Sequence, residues 1–188
     1  MSLTNLLIPT YSQMLKTLSG WLDKAEGQMG ADAANALLSA RLAPDMFPLS
    51  TQIRFACVQA QEGVFLLKGE EFPASTQALL DEGRNAEENP GSMASAKARI
   101  DETLVLLGDL APDALDADPQ SPIEHALPMG IIFDLTAEQY ARDWTLPQFY
   151  FHVMTAYAIL RNQGVELGKA DYIAHMFPYI RPGTMPTG

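Results

Sequence analysis

Apolar residues recur at three- and four-residue steps along most of this chain, the spacing of helices that bury one face. Between Pro9 and Met29 the stripe is Tyr11, Met14, Leu15, Leu18, Trp21, Leu22 and Ala25. It predicts a first long helix, which Pro9 either opens or kinks if the helix already begins after Ser2, and which ends near Gly27 or Gly30. A short helical piece, Ala31 to Ala40, leads into Arg41-Leu-Ala-Pro-Asp-Met-Phe-Pro-Leu, where two prolines exclude regular helix. From Pro48 to Lys68 the residues Ile53, Cys57, Ala60, Val64 and Leu67 form a seam suited to a nearly parallel or antiparallel neighbour, and Gly69 is placed as its cap. A third long helix is predicted from Met93 to Leu110, with Ala96, Ile100, Thr103, Leu104, Leu107 and Leu110 on one side.

Between these helices the polar and turn-forming residues gather. Residues 81–92 read as a solvated loop, and Ala111 to Gln120 as a run of turns rich in Asp and Pro. Ile123-Glu-His-Ala-Leu and Ile131-Ile-Phe-Asp-Leu flank Pro128-Met129-Gly130 and predict a small β-hairpin. Thr136 with Gln139, and Thr145 with Gln148, have the spacing of capping boxes. They predict a short helix through Trp144 and a fourth long helix from Leu146 to about Gln163, stopped by Gly164. The expected fold is therefore all-α: a four-helix bundle with a hairpin before the last long helix, with globin-like packing as the alternative.

Length and composition agree with one domain over residues 1–188, of which 173–188 read as an irregular tail. Hydrophobic residues make up 47% and charged residues 19%, a globular balance that leaves enough apolar surface for a real core. Twenty-three acids against twelve scattered bases give a net charge of −11, which argues against nucleic acid as a partner. No apolar run approaches a membrane span, and the amino terminus lacks the basic start of a secretory signal, so a cytoplasmic location is expected.

Several familiar chemistries lack their parts. The chain has no Gly-rich phosphate loop, no HExxH pair, no Cys-x-x-Cys, no nucleophile elbow and no Glu-x-x-His pair. The single cysteine, Cys57, lies on the second seam without a basic neighbour in sequence and reads as an inert buried thiol. Of three histidines, His125 and His175 read as surface residues, whereas His152 borders the seam Phe149, Val153, Ala156 and Leu160. Its neighbours one turn away, Gln148, Phe149, Thr155, Ala156 and Ile159, offer no strong second metal ligand, which favours a hydrogen-bonded pocket histidine. Gln52, Ala56 and Gln59 form a polar and small stripe on the second long helix. Tyr150, Phe151 and Tyr157 give the fourth helix more aromatic surface than one seam can bury, which predicts a homodimer contact.

The Arg41-to-Leu49 segment, the run Leu146-Pro-Gln-Phe-Tyr-Phe-His-Val-Met-Thr-Ala-Tyr-Ala-Ile-Leu-Arg and the following Gly164-Val-Glu-Leu-Gly-Lys-Ala-Asp carry a resemblance. They look like a bacterial family of unknown function grouped with the DinB/YfiT-like four-helix-bundle metalloenzymes, over roughly Leu6 to Tyr172. The resemblance implies a DinB-like bundle, commonly dimeric, with a cavity between its second and fourth helices. In the wider superfamily it implies a metal held by one histidine of the second helix and a His-x-x-x-His pair of the fourth. His152 matches the first of that pair, but the second falls on Ala156 and the second helix has no histidine. The expectation is a non-catalytic bundle with a degenerate metal site and no cofactor. It would bind a small molecule, or a second copy of itself, through Tyr11, Gln52, Gln59, His152 and Thr155. The alternative is a metal-dependent hydrolase or thiol transferase built on His152 and supplemented by Asp45.

Overall fold

The four apolar stripes become four long helices, α1 (Leu3–Met29), α3 (Leu49–Lys68), α5 (Met93–Gly108) and α7 (Leu146–Asn162), in a computed structural model that describes residues 2–184. They close a ring in which α1 packs on α5 and α7, and α3 packs on the same two helices. Tyr11, Leu15, Leu18, Leu22, Ile53, Ala60, Ile100, Phe149 and Leu160 fill the interior, each shielded from solvent. Trp21 sits at one end against Tyr157, ring centroids 5.2 Å apart, and half-buried Tyr150 lies 5.8 Å from Phe149. Two of the three surplus aromatics of α7 are thus absorbed by the bundle itself, and Phe151 alone stays largely exposed, at 56%.

Helix α1 starts at Ser2, whose hydroxyl accepts from the Asn5 amide, and runs through Pro9 to a glycine cap at Gly30, where φ is +81°. Its first turn is further held by Asp116 from the acidic connection, which accepts from the Ser2 hydroxyl and the Thr4 amide, both at 2.9 Å. Helix α2 (Ala31–Ala36) and a tight turn over Leu37–Ser39 follow. The Ser92 capping box opens α5, and the Thr136 box forms as its spacing predicts. No helix among the described residues is long and apolar enough to cross a membrane.

Two elements differ from the sequence expectation. Residues 81–92 are not all loop, because a helix α4 (Ala74–Arg84) lies against α3 and extends into them. Its buried stripe is Thr76, Leu79 and Gly83, too small and polar to stand out, and Gly83 is required because a Cβ there would lie 2.6 Å from the Phe55 ring. The second difference is Thr145, which caps nothing. Its backbone is helical, and α6 (Ala137–Gln139), a π-helical turn Tyr140–Thr145 and α7 form one unbroken run. The Thr145 side chain turns inward to the bundle instead.

The hairpin forms as expected, with β1 (Pro122–Ala126) antiparallel to β2 (Ile132–Thr136) and His125 opposite Phe133. Along β1 alternate residues face the bundle, burying Ile123 and His125. His125 is only 8% exposed, so its reading as a surface residue is corrected. The chain continues through α8 (Lys169–Tyr172) and a tight helical turn Ala174–Tyr179, where His175 is half-buried. Of the tail expected to be irregular, residues 185–188 lie outside the described residues.

Candidate functional site

The face expected from sequence divides into two clusters. Gln52 and Gln59 are seven residues apart on α3, hence two turns and about 10 Å along the axis, so one ligand-sized group of contacts cannot include both easily. The first cluster is His152 with Gln52. His152 Nδ1 is 2.9 Å from Gln52 Oε1, and Gln52 Nε2 donates to the Phe47 carbonyl at 3.2 Å. The second contact fixes the amide orientation, so the imidazole donates from Nδ1 and keeps its lone pair on Nε2. Burial pushes the His152 pKa down to about 4, so the ring is neutral at physiological pH. Phe55 and Phe151 stand edge-on to it at 5.3 and 5.4 Å. Thr155 does not join this pair, because its hydroxyl donates to the Phe151 carbonyl one turn back at 2.7 Å. Asp45 is exposed in the connection before α3.

This geometry does not fit a metal centre. Ala156 stands where the resemblance would place a second histidine, and the facing helix presents an amide rather than an imidazole. Among the described residues no three His, Cys, Asp or Glu side chains are grouped to hold one ion. Cys57 is fully buried, and burial pushes its thiol up to about 12, which keeps it protonated and unreactive.

His152→Leu is expected to cost about 1–3 kcal/mol, because Gln52 Oε1 then loses its donor inside the protein, whereas His152→Gln keeps a donor and costs less than about 1 kcal/mol. Urea unfolding of the two variants separates the cases. Equal stability of both would show that the imidazole–amide pair is not what this position requires.

The second cluster begins with Tyr11 and Gln59. Thr145 Oγ1 lies 2.8 Å from the Tyr11 hydroxyl and donates to the Gln59 carbonyl at 3.2 Å. Since Thr145 has one hydroxyl proton, Tyr11 is the donor of the pair. The other side of Gln59 opens on a cavity of about 630 Å³ between α3, α4, the hairpin and the π-helical turn. Leu66, Phe72 and Leu80 supply apolar wall, and Glu62, His125 and Trp144 supply polar atoms. Gln59 Nε2 donates to Glu62 at 3.3 Å, but Gln59 Oε1, His125 Nε2 and Trp144 Nε1 are buried without a protein partner. The hydroxyl of Tyr140, in the same π-helical turn as Trp144, is buried and unpartnered too. Such atoms are costly unless something meets them, and three of the four belong to residues that line this cavity.

Burial dominates the titration here. It pushes the Glu62 carboxyl up to about 7 against the milder pull of Arg84 and the Gln59 hydrogen bond, and it lowers the His125 pKa. Glu62, His125, Tyr140 and Trp144 were not picked out by the sequence reading. Strand alternation places His125 on the same face as the apolar Ile123, and the three-residue step from Gln59 to Glu62 places both on one side of α3. The inward turn of Tyr140 and Trp144 follows from the π-helical insertion, for which the sequence carries no signal.

The family model described as Domain of unknown function (DUF1993) matches residues 3–173. The chain belongs to this family. It is also similar to a solved structure, the crystal structure of a DinB family member protein from Shewanella denitrificans, at 31% identity and a TM-score of 0.73. That match covers 98% of this chain and 96% of the other. None of the curated proteins matches the chain. The DinB-like bundle expected from the sequence is therefore the fold of the protein, down to the hairpin ahead of α7.

Proposed function

We propose that this member of the family is a non-catalytic binding bundle, and that its ligand is a small polar molecule held in the cavity beneath the hairpin. The observation that carries the reading is the concentration of unpartnered buried polar atoms on residues in and beside that one cavity, whereas His152 Nδ1 is paired with Gln52. The position matched to a metal site is degenerate in this reading, with His152 serving as a hydrogen-bonded core histidine.

A thermal-shift screen of small polar compounds, read together with tryptophan emission, tests it. Trp21 lines a separate cavity beside Asp171 and His175, so the emission is read in Trp21→Phe protein, where a ligand-dependent change reports Trp144 at the wall of the cavity beneath the hairpin. The expected result is stabilisation that coincides with an emission change, in protein containing no stoichiometric metal. Near-stoichiometric zinc, nickel or iron that disappears in His152→Ala, with no ligand found, would make the metal-dependent hydrolase or thiol transferase the better reading.

A second observation favours self-association. Phe47, Phe151 and Met154 are 49%, 56% and 39% exposed, and ring contacts link Phe47 to Phe55 and both Phe55 and Phe151 to His152. We infer that two copies pair through this patch to form a homodimer. Light scattering at tens of micromolar protein is expected to give the mass of two chains, and Phe151→Glu the mass of one. A single-chain mass for the unmodified protein would overturn the pairing.

A further inference from the structure

We infer that the β-hairpin is a hinged flap, which swings as a unit away from the helices and uncovers the cavity beneath it. The motion stands whether or not the cavity is filled; only its use as an entrance rests on the reading of that cavity as a ligand site. The way the hairpin is attached carries the inference. Among the described residues, no hydrogen bond or ion pair joins residues 122–135 to any helix, and apart from α6, the continuation of β2, their backbone meets the helices at no more than isolated points. What holds the arm is apolar and aromatic. Ile123 and Leu135 reach the core, the His125 ring lies 5.4 Å from Tyr140 and 4.5 Å from Trp144, and the Phe133 ring lies 5.3 Å from Trp144.

The base of the hairpin is anchored differently. The Ser121 and Pro119 carbonyls accept from the Ala137 and Glu138 amides at 2.9 and 3.0 Å, which ties the base to the first turn of α6. Just upstream, the Leu115 amide donates to Thr4 Oγ1 at 2.8 Å and Asp116 accepts from Ser2 and Thr4, which pins the approach to α1. Directional bonds thus fix the chain where the hairpin leaves the bundle, and none fixes the arm beyond that point. This is the construction of a pivot.

Beneath the arm there is space where packing would otherwise hold it. Residues 124–128 form one side of the cavity of about 630 Å³ and residues of α3 and α4 the other, so from Glu124 onward the arm borders a void on that side. The seam also carries a cost in the closed position. His125 Nε2 and Trp144 Nε1 are buried without partners on rings that touch each other, and water meets both when the seam parts. Few apolar anchors and no directional bond are the features of segments that open well below the free energy of global unfolding. The bundle helices, each buried along a continuous apolar stripe, stay folded while the arm moves.

Hydrogen exchange of the indole N–H groups, followed by NMR on the full-length protein, tests the flap. The spectrum of Trp21→Phe assigns the remaining indole signal to Trp144. That signal is expected to exchange at least about 100-fold faster than the slowest amides of α3 and α7, after correction for intrinsic rates, and at a rate that low urea leaves unchanged, as local openings do. Ile123→Ala removes an anchor of the closed arm and should raise the rate at least about tenfold; Ile123→Val should raise it less, and keeps the test available if the alanine variant does not fold. His125→Phe should lower the rate, because the ring contacts remain and the unpartnered nitrogen is gone. Ile100→Val, in the bundle interior on α5, should speed the slowest helix amides by up to about tenfold and leave the Trp144 indole unchanged. A Trp144 indole that exchanges only with global unfolding, sharing the urea dependence of the slowest helix amides, overturns the flap. So does a fast rate indifferent to both Ile123 variants, since water then reaches Trp144 past a hairpin that stays in place. An empty thermal-shift screen removes the ligand reading and leaves the flap standing.

Discussion

Glu82→Ala is expected to destabilise the protein by about 3–5 kcal/mol, the cost of leaving a buried charge without its partner. The charge is Arg54 of α3, whose side chain is 1% exposed. Its Nε donates to Glu82 Oε1 at 2.7 Å, and its terminal nitrogens reach Glu82 at 2.6 Å and the Ser50 hydroxyl at 2.7 Å. The other carboxylate oxygen of Glu82 accepts from Arg99 Nε at 2.8 Å, so one carboxylate fastens α4 to both α3 and α5. Burial alone would raise the Glu82 pKa, but Arg54 and Arg99 together outweigh it and hold the carboxyl below its usual range. A lowered carboxyl pKa stabilises the fold above the ordinary glutamate value, and that contribution disappears as pH falls through the folded value. Urea unfolding at neutral pH checks the loss. Adding Arg54→Met to Glu82→Ala should restore much of the stability, because a buried pair can be replaced by apolar volume more cheaply than it can be broken. If Glu82→Ala alone unfolds like the unmodified protein, this pair does not hold the three helices together.

Arg54 illustrates where the sequence is silent. The seams of α1, α3, α5 and α7 are legible because each helix buries a continuous apolar stripe, and periodicity reports that directly. A buried arginine one position from Ile53 carries no such mark, since its partner Glu82 lies 28 residues away on a helix that is itself inconspicuous. Helix α4 hides for the same reason. Its inward residues are Thr76, Leu79 and Gly83, while Asp81, Glu82 and Arg84 give it the composition of a loop.

The candidate site was half visible. Gln52 and His152 were readable because both sit on seams that face each other, and they do meet. Gln59 and Tyr11 were readable as polar residues on inward stripes, but their link runs through Thr145. A threonine three residues before a glutamine imitates a helix cap, and only the π-helical turn sends its hydroxyl inward instead. His125 looked exposed because short hairpins are usually solvated on both faces, whereas β1 buries alternate residues, Ile123 and His125.

The same turn makes Gly63→Ala a sharp test of the packing that walls off this cavity. In an exposed helix the substitution should stabilise by about 1 kcal/mol, since alanine loses less backbone freedom than glycine. Gly63 is in the interior of α3, and a Cβ there would lie 2.7 Å from Thr145 Oγ1 and 2.8 Å from the Tyr11 hydroxyl. Both distances are too short for carbon against oxygen, and both oxygens belong to buried side chains. Relief requires moving α7 outward or breaking the Tyr11–Thr145–Gln59 chain, either of which strands a buried hydroxyl. The net expectation in the unmodified protein is destabilisation by about 2–3 kcal/mol, overpacking exceeding helix propensity. In a Tyr11→Phe, Thr145→Ala background both oxygens are gone, and the glycine faces only ordinary contacts. There Gly63→Ala should stabilise by up to about 1 kcal/mol, so the effect changes sign. Denaturant unfolding of the four proteins completes the cycle. The same sign in both backgrounds would mean that the close approach of α3 to the π-helical turn, not the two hydroxyls, is what keeps this position glycine.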